Sequence, residues 1–81
     1  MDNQKIYIIY DEIADDMITY FMSKNDRHAI IRTKEVIKKN APSIDFEITL
    51  YQVTKINDDG TFIFDRIVEE FNSETFYEKE E

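Results

Sequence analysis

Four carboxylates, Asp11, Glu12, Asp15 and Asp16, stand within six consecutive residues. On a helix Asp11 and Asp15 would share a face, and paired oxygen donors are the beginning of a site for a hard cation. A complete site needs more ligands and a fixed loop, so the segment reads more simply as a solvated acidic loop. Asn57-Asp58-Asp59-Gly60 shares a fragment of a calcium loop. The later ligand positions and the closing Glu are missing, and a hairpin turn is the better account. His28 is the only histidine. One histidine cannot make a His-based metal site, and no nucleophile or carboxylate spacing marks it as part of a triad, so it reads as a surface residue. The absence of cysteine excludes a thiol nucleophile, a thiolate zinc site and a disulfide framework together. A single glycine leaves no room for a P-loop or a Gly-rich dinucleotide motif. No enzyme constellation, metal site or cofactor is expected. The chemistry in view is that of charged surfaces.

Those surfaces are unevenly charged. The chain of 81 residues carries a net charge of −8. Residues 1–23 sum to −4, 24–39 to +4, 40–64 to −3 and 65–81 to −5. Six of the ten basic residues lie in 24–39, so the basic charge is concentrated in one element. The average surface repels nucleic acid and anionic membranes.

The elements that position these charges follow from periodicity. Lys5-Ile6-Tyr7-Ile8-Ile9-Tyr10 is β-branched and aromatic and reads as a buried strand that Asp11 breaks. Residues 11–22 read as a loop or turn leading into extended chain, although Ile13, Met17 and Phe21 also have helical spacing. Ser23-Lys24-Asn25-Asp26 is a helix-start signal with Asn25 as N-cap. A helix is expected from Asp26 to about Asn40, with Ala29, Ile30, Thr33, Val36 and Ile37 as its apolar stripe. Asn40-Ala41-Pro42 ends it. Ile44 to Ile56 reads as one strand, with Ile44, Phe46, Ile48 and Leu50 alternating against Asp45, Glu47 and Thr49. Asn57 to Gly60 turns it into a β-hairpin with Thr61-Phe62-Ile63-Phe64. After Asp65 the pattern weakens, and Ile67, Val68 and Phe71 suggest a short helical turn.

The expected fold class is α+β, with one amphipathic helix packed on a small, mostly antiparallel sheet that includes a β-hairpin. Residues 1–71 form the single domain, and 72–81 are expected to be an acidic, flexible tail. A chain this short buries only about 60% of its unfolded surface, so two domains or a large enclosed active site have no room. No apolar run approaches the roughly 18 residues of a membrane span. The start, Met1-Asp2-Asn3-Gln4-Lys5, has the wrong charge for a signal peptide, and an intracellular location is expected.

Two surfaces are candidates for partner binding. The first is acidic: Asp11, Glu12, Asp15 and Asp16 form one group, and Glu69, Glu70 and Glu74 begin a second that Glu78, Glu80 and Glu81 continue. Rows of carboxylates can imitate the phosphates of nucleic acid and occupy a basic groove on a protein that handles it. The plainer reading is a surface that confers solubility. The second surface is the helix. At 100° per residue Arg27, Lys34 and Lys38 cluster opposite the apolar stripe, and Arg32 and Lys39 continue around the same outer arc with Ile31 among them. Such a stripe suits phosphates, or it pairs with the chain's own carboxylates. Few aromatics accompany it, which gives base stacking little support.

The order of certain pieces resembles the small nonstructural proteins of microviruses, the gokushovirus-type phages in particular. The residues that carry the resemblance are Ile8-Ile9-Tyr10-Asp11, Ala14, Tyr20-Phe21, Asn25, Ala29-Ile30-Ile31-Arg32, Thr49-Leu50-Tyr51-Gln52-Val53 and Asp58-Asp59-Gly60. They fall within residues 6–64. The chain departs from the pattern where Tyr20 stands in place of a proline beside Phe21, and in its acidic segment 65–81. The resemblance implies a phage protein made in the bacterial cytoplasm and associated with single-stranded genome synthesis and its replication machinery. It supplies no active-site residues.

The sequence is therefore expected to encode an accessory protein that binds a host or phage nucleic-acid-handling protein. It would act in replication support, or as an inhibitor of a host or defence nuclease by mimicry of DNA. The alternative is direct binding of single-stranded DNA through helix 26–40. Exposed edges on so small a sheet also make a homodimer a natural expectation.

Overall fold

Tyr7, Ile8 and Ile9 are buried in succession, which requires cover on both faces of their strand. The computed structural model, which describes residues 4–40 and 45–76, supplies that cover. Strand β1 (Lys5–Asp11) lies in the middle of a sheet, with strand β2 (Asp16–Ser23) on one side and strand β3 (Glu47–Gln52) on the other. Strand β6 (Arg66–Asn72) completes the order β2-β1-β3-β6. Every pairing in this sheet is antiparallel. Helix α1 (Asp26–Asn40) covers one face and touches both edge strands. Two short strands, β4 (Lys55–Ile56) and β5 (Phe62–Ile63), form a hairpin whose aromatic side chains lie on the other face. The architecture is the α+β arrangement expected, with a wholly antiparallel main sheet.

The helix begins where the capping residue dictates. The Asn25 side chain accepts a hydrogen bond from the His28 backbone N–H at 2.9 Å, and its carbonyl accepts one from Ala29 at 3.1 Å. Ala29, Thr33 and Ile37 are fully buried, and Ile30 and Val36 pack beside them. The Thr33 hydroxyl is satisfied by the Ala29 carbonyl at 2.8 Å. Across the interface stand Tyr7 and Ile9 of β1, Phe21 of β2, Ile48 and Leu50 of β3 and Phe71 of β6. Tyr7 stacks on Phe21 with ring centroids 5.8 Å apart. The role of Pro42 as a helix stop, and the start of the strand at Ile44, lie outside the described residues.

Three elements differ from the sequence reading. The strand expected over 44–56 breaks after Gln52. Val53 still donates to the Ile6 carbonyl at 2.8 Å, but Thr54 turns away to the Ile63 carbonyl at 2.8 Å. Only residues 55–56 pair with 62–63. The turn between them is as expected, with Gly60 at φ +88° and its N–H donating to Asn57 at 2.9 Å. The second difference is at 66–72, which form an edge strand and not a helical turn. Glu69 opposes Leu50 and Ile67 opposes Tyr51, so Val68 is an extra residue in a β-bulge. The bulge breaks the period of two and places Ile67, Val68 and Phe71 at intervals that imitate a helix. The third is the start of the expected tail. Asn72 belongs to β6, and Ser73–Phe76 form a helical turn, α2, that buries Phe76. Asn72 caps this turn by accepting from the Thr75 N–H at 3.0 Å. Residues 77–81 of that expectation lie outside the described residues.

Candidate partner-binding groove

The β1–β2 connection is built by its own carboxylates. Asp11 Oδ1 accepts from the backbone N–H groups of Ile13 and Ala14 at 3.0 and 3.1 Å. Asp15 holds the left-handed conformation, φ 57°, that closes the turn, and its carboxylate accepts from the Tyr10 hydroxyl. Asp16 accepts from the Met17 N–H at 2.9 Å. Three of the four clustered carboxylates therefore shape the turn. Glu12 is the exception. Its N–H donates to the Glu47 carbonyl at 2.8 Å, which ties the turn to the start of β3. Its side chain accepts from the Tyr51 hydroxyl at 2.7 Å.

This tie brings the first acidic group beside the second. An open groove of about 530 Å³ lies along the β3–β6 half of the sheet. Glu12, Asp45, Glu47, Glu70 and Glu74 line it, and none of the described residues that line it is Lys, Arg or His. Phe46, Ile48 and Phe71 border it, although their side chains are buried in the core. The frame is fixed at one end by Ser73, whose N–H donates to the Phe46 carbonyl at 3.1 Å and whose hydroxyl donates to Asp45 at 3.3 Å. Hydrogen bonds to carboxylates raise the tyrosine pKa values, because ionisation would set two anions together. Tyr10 is pushed up to about 12, chiefly by its bond to Asp15. Tyr51 is raised chiefly by its bond to Glu12. Both phenols stay protonated at neutral pH and remain donors. Tyr10 and Tyr51 also pack against Phe64 of the hairpin, at 5.8 and 5.3 Å between centroids.

Of the acidic residues expected from sequence, Glu12, Glu70 and Glu74 meet in the groove, whereas Asp11, Asp15 and Asp16 stay in the turn. Glu69 does not join the groove. It opposes Leu50 on the helix side of the sheet and borders a smaller cavity with Lys34, Ile30 and Phe76. Asp45, Glu47 and Tyr51 were not expected. The alternation of Asp45, Glu47 and Thr49 against buried Phe46, Ile48 and Leu50 was their signal, since alternate residues share a sheet face. No group of three or more carboxylates or imidazoles among the described residues is arranged to hold a metal ion.

The basic residues of α1 do not form one stripe. Lys34 lies on the flank facing β6, beside Glu69 and Glu70. Arg32 lies on the flank facing β2, its guanidinium 5.1 Å from the centre of the Phe21 ring. Arg27, Lys38 and Lys39 are exposed, with Ile31 half exposed between the flanks. His28 is exposed, as a surface residue should be. A different cation is engaged at the other end of the helix. Arg66 of β6 pairs with Asp26 at 2.7 Å, and the Tyr7 hydroxyl donates to the same carboxylate at 2.8 Å. Arg66 and then Tyr7 hold the Asp26 carboxyl down near 2 against the opposing effect of burial. Burial and the bond to Asp26 push the Tyr7 phenol up to about 12.

No helix among the described residues is long and apolar enough to cross a membrane. No protein-family model, curated protein or solved structure matches this chain.

Proposed function

We propose that the chain is an accessory protein that binds a nucleic-acid-handling protein by seating a basic segment of it in the acidic groove. The observation that carries this reading is the convergence of Glu12, Asp45, Glu47, Glu70 and Glu74 on one open groove whose described lining has no cation. Three stretches of sequence, far apart in the chain, supply those carboxylates: the turn at Glu12, the start of β3 and the end of β6. Such a field attracts a complementary basic surface and raises its association rate. Proteins that bind phosphate backbones carry basic segments and surfaces for that purpose. The resemblance to microvirus small nonstructural proteins supports a setting in the infected bacterial cytoplasm. There the occupied partner is a replication protein that is assisted or a host or defence nuclease that is blocked.

The test compares the wild-type chain with a Glu47→Lys/Glu70→Lys variant. Both are immobilised, exposed to bacterial lysate and washed with duplex DNA as competitor. The wild type should retain DNA-binding proteins that DNA displaces. The variant should retain at least about tenfold less of them, with its circular dichroism unchanged. Equal retention by the folded variant sinks the groove as the site. A parallel anisotropy titration with labelled single-stranded DNA, at about 50 and 200 mM salt, should show no binding by the wild type. Salt-sensitive binding there transfers the function to the helix bearing Arg27, Arg32, Lys34, Lys38 and Lys39.

A further inference from the structure

We propose that a second copy of this chain pairs with the first along strand β2, edge to edge and antiparallel. β2 is one of the two edges of the main sheet, and an edge presents alternate backbone N–H and C=O groups with no partner strand. Proteins blunt such edges with charge, proline or short length. The other edge, β6, is blunted: it carries Arg66, Glu69 and Glu70 and a bulge at Val68. β2 is eight residues long, and from Met17 to Ser23 it has no charge and no proline. Its own bulge, at Ile18, lies near one end and leaves Thr19 to Ser23 in regular register with β1.

The side chains point the same way. Nine large apolar residues stay exposed among the described residues, and four of them, Met17, Ile18, Tyr20 and Met22, belong to β2. Tyr20 and Met22 are each 55% exposed. They oppose Ile8 and Ile6 of β1, on the face away from α1, where Phe62 of the hairpin meets Tyr20 edge-on at 5.6 Å. A strand added at this edge would extend that apolar row.

Charge selects a second copy as the strand that adds. A net charge of −8 makes two copies repel over most of their surfaces. β2 itself adds little to that repulsion, since Asp16 is its one charged residue. Asp16 stands at its start, and Lys24 lies just past its end. A two-fold antiparallel contact sets each copy's Asp16 at the end where the other's Lys24 lies, which gives one attractive pair at each end. The acidic groove lies on the β3–β6 half of the sheet, so it stays open in such a dimer. This proposal does not depend on what the groove binds.

Sedimentation equilibrium of the full chain across the micromolar range tests it. The wild type should approach twice the monomer mass of 9.8 kDa as concentration rises. Met22→Lys places charge in the apolar row and should leave only monomer. Lys24→Asp lies outside the strand and should weaken self-association roughly tenfold, since two attractive pairs become repulsive. The swap Asp16→Lys/Lys24→Asp should restore it. Circular dichroism confirms that each variant is folded, and Lys24→Asp with its swap carries the test even where Met22→Lys does not fold. A wild type that stays monomeric overturns the proposal. A dimer that neither Met22→Lys nor the swap series alters overturns it as well.

Discussion

Truncating Phe76 to alanine measures how firmly residues 72–76 belong to the fold. The ring is 3% exposed and meets Phe46 at 5.8 Å and Phe71 at 6.1 Å, both edge-on. Returning it to water costs about 2 kcal/mol by its apolar burial. Each aromatic pair adds about 0.5 kcal/mol or more. A residual cavity would add to this, but α2 is one short turn at the edge and can collapse or fray into the space, which limits that contribution. The expected loss is about 3 kcal/mol. A domain of this size is stable by only about 5–10 kcal/mol, so the variant keeps roughly half its margin. In urea, with a slope of about 1.5 kcal/mol/M, the unfolding midpoint should fall by about 2 M with the slope unchanged. A fall of less than about 0.5 M would show that Phe76 is not packed as described and that the chain after β6 behaves as a tail. The outcome bears on the groove too, because Ser73 and Glu74 line it from the same turn.

Two further predictions concern pH. The Asp26 carboxyl, lowered from 3.8 to about 2 by Arg66 and Tyr7, contributes stability that is complete above pH 4 and lost as pH falls through 2. Its side chain is one-third exposed, so screening reduces that contribution to about 1 kcal/mol. Asp26→Asn should be less stable than wild type by this amount at pH 6, and the difference should shrink to a small fraction of it near pH 2, by urea unfolding at each pH. A difference undiminished at pH 2 would assign the effect to something other than the charge. At the alkaline end, Tyr7 and Tyr10 are raised from 10 to about 12, so phenolate absorbance should show two of the five tyrosines ionising near pH 12 in the folded chain. The stability they contribute is present below pH 10 and lost as pH rises through 12. All five ionising together near 10 while the chain is still folded would contradict both hydrogen bonds.

What was legible in the sequence was local and periodic. Helix α1 follows from the Asn25 cap and a clean stripe, and β1 from a run too apolar to be anything but buried. The hairpin turn follows from Asn57-Asp58-Asp59-Gly60. What was not legible depended on contacts between distant segments. β6 was hidden because the bulge at Val68 shifts the side-chain phase, and a bulge is set by the partner strand, here at Leu50 and Tyr51. The strand 44–56 looked continuous because nothing in its composition shows that β1 provides partners only as far as Val53. Phe76 reads in the sequence as no more than a tether for an acidic tail, because its neighbours are polar, whereas its burial is supplied by Phe46 and Phe71. For the groove, sequence found two acidic groups but could not join them. The joint is β3, whose Glu47 carbonyl accepts from the Glu12 N–H across 35 residues of chain and whose other edge pairs with β6.

The arrangement of the groove also explains how a small domain tolerates so many carboxylates on one side. Like charges directly opposite one another on neighbouring strands destabilise a sheet. In the register of β3 and β6, Glu47 faces Asn72, Glu70 faces Thr49 and Glu69 faces Leu50. No carboxylate opposes another in these pairs. Glu12 is further relieved by the Tyr51 hydroxyl, which donates to it without adding charge. Arg66, the cation of β6, is committed to Asp26 and Gln52 on the other side of the sheet. Local repulsion is thus kept below what the fold can bear, while the groove as a whole keeps its negative potential. A surface that served only solubility would gain nothing from this separation. It would gain more from interspersed charges of both signs. A negative field over an open groove is useful where a cationic surface has to be attracted and seated, and that is the physical ground on which a basic partner is proposed.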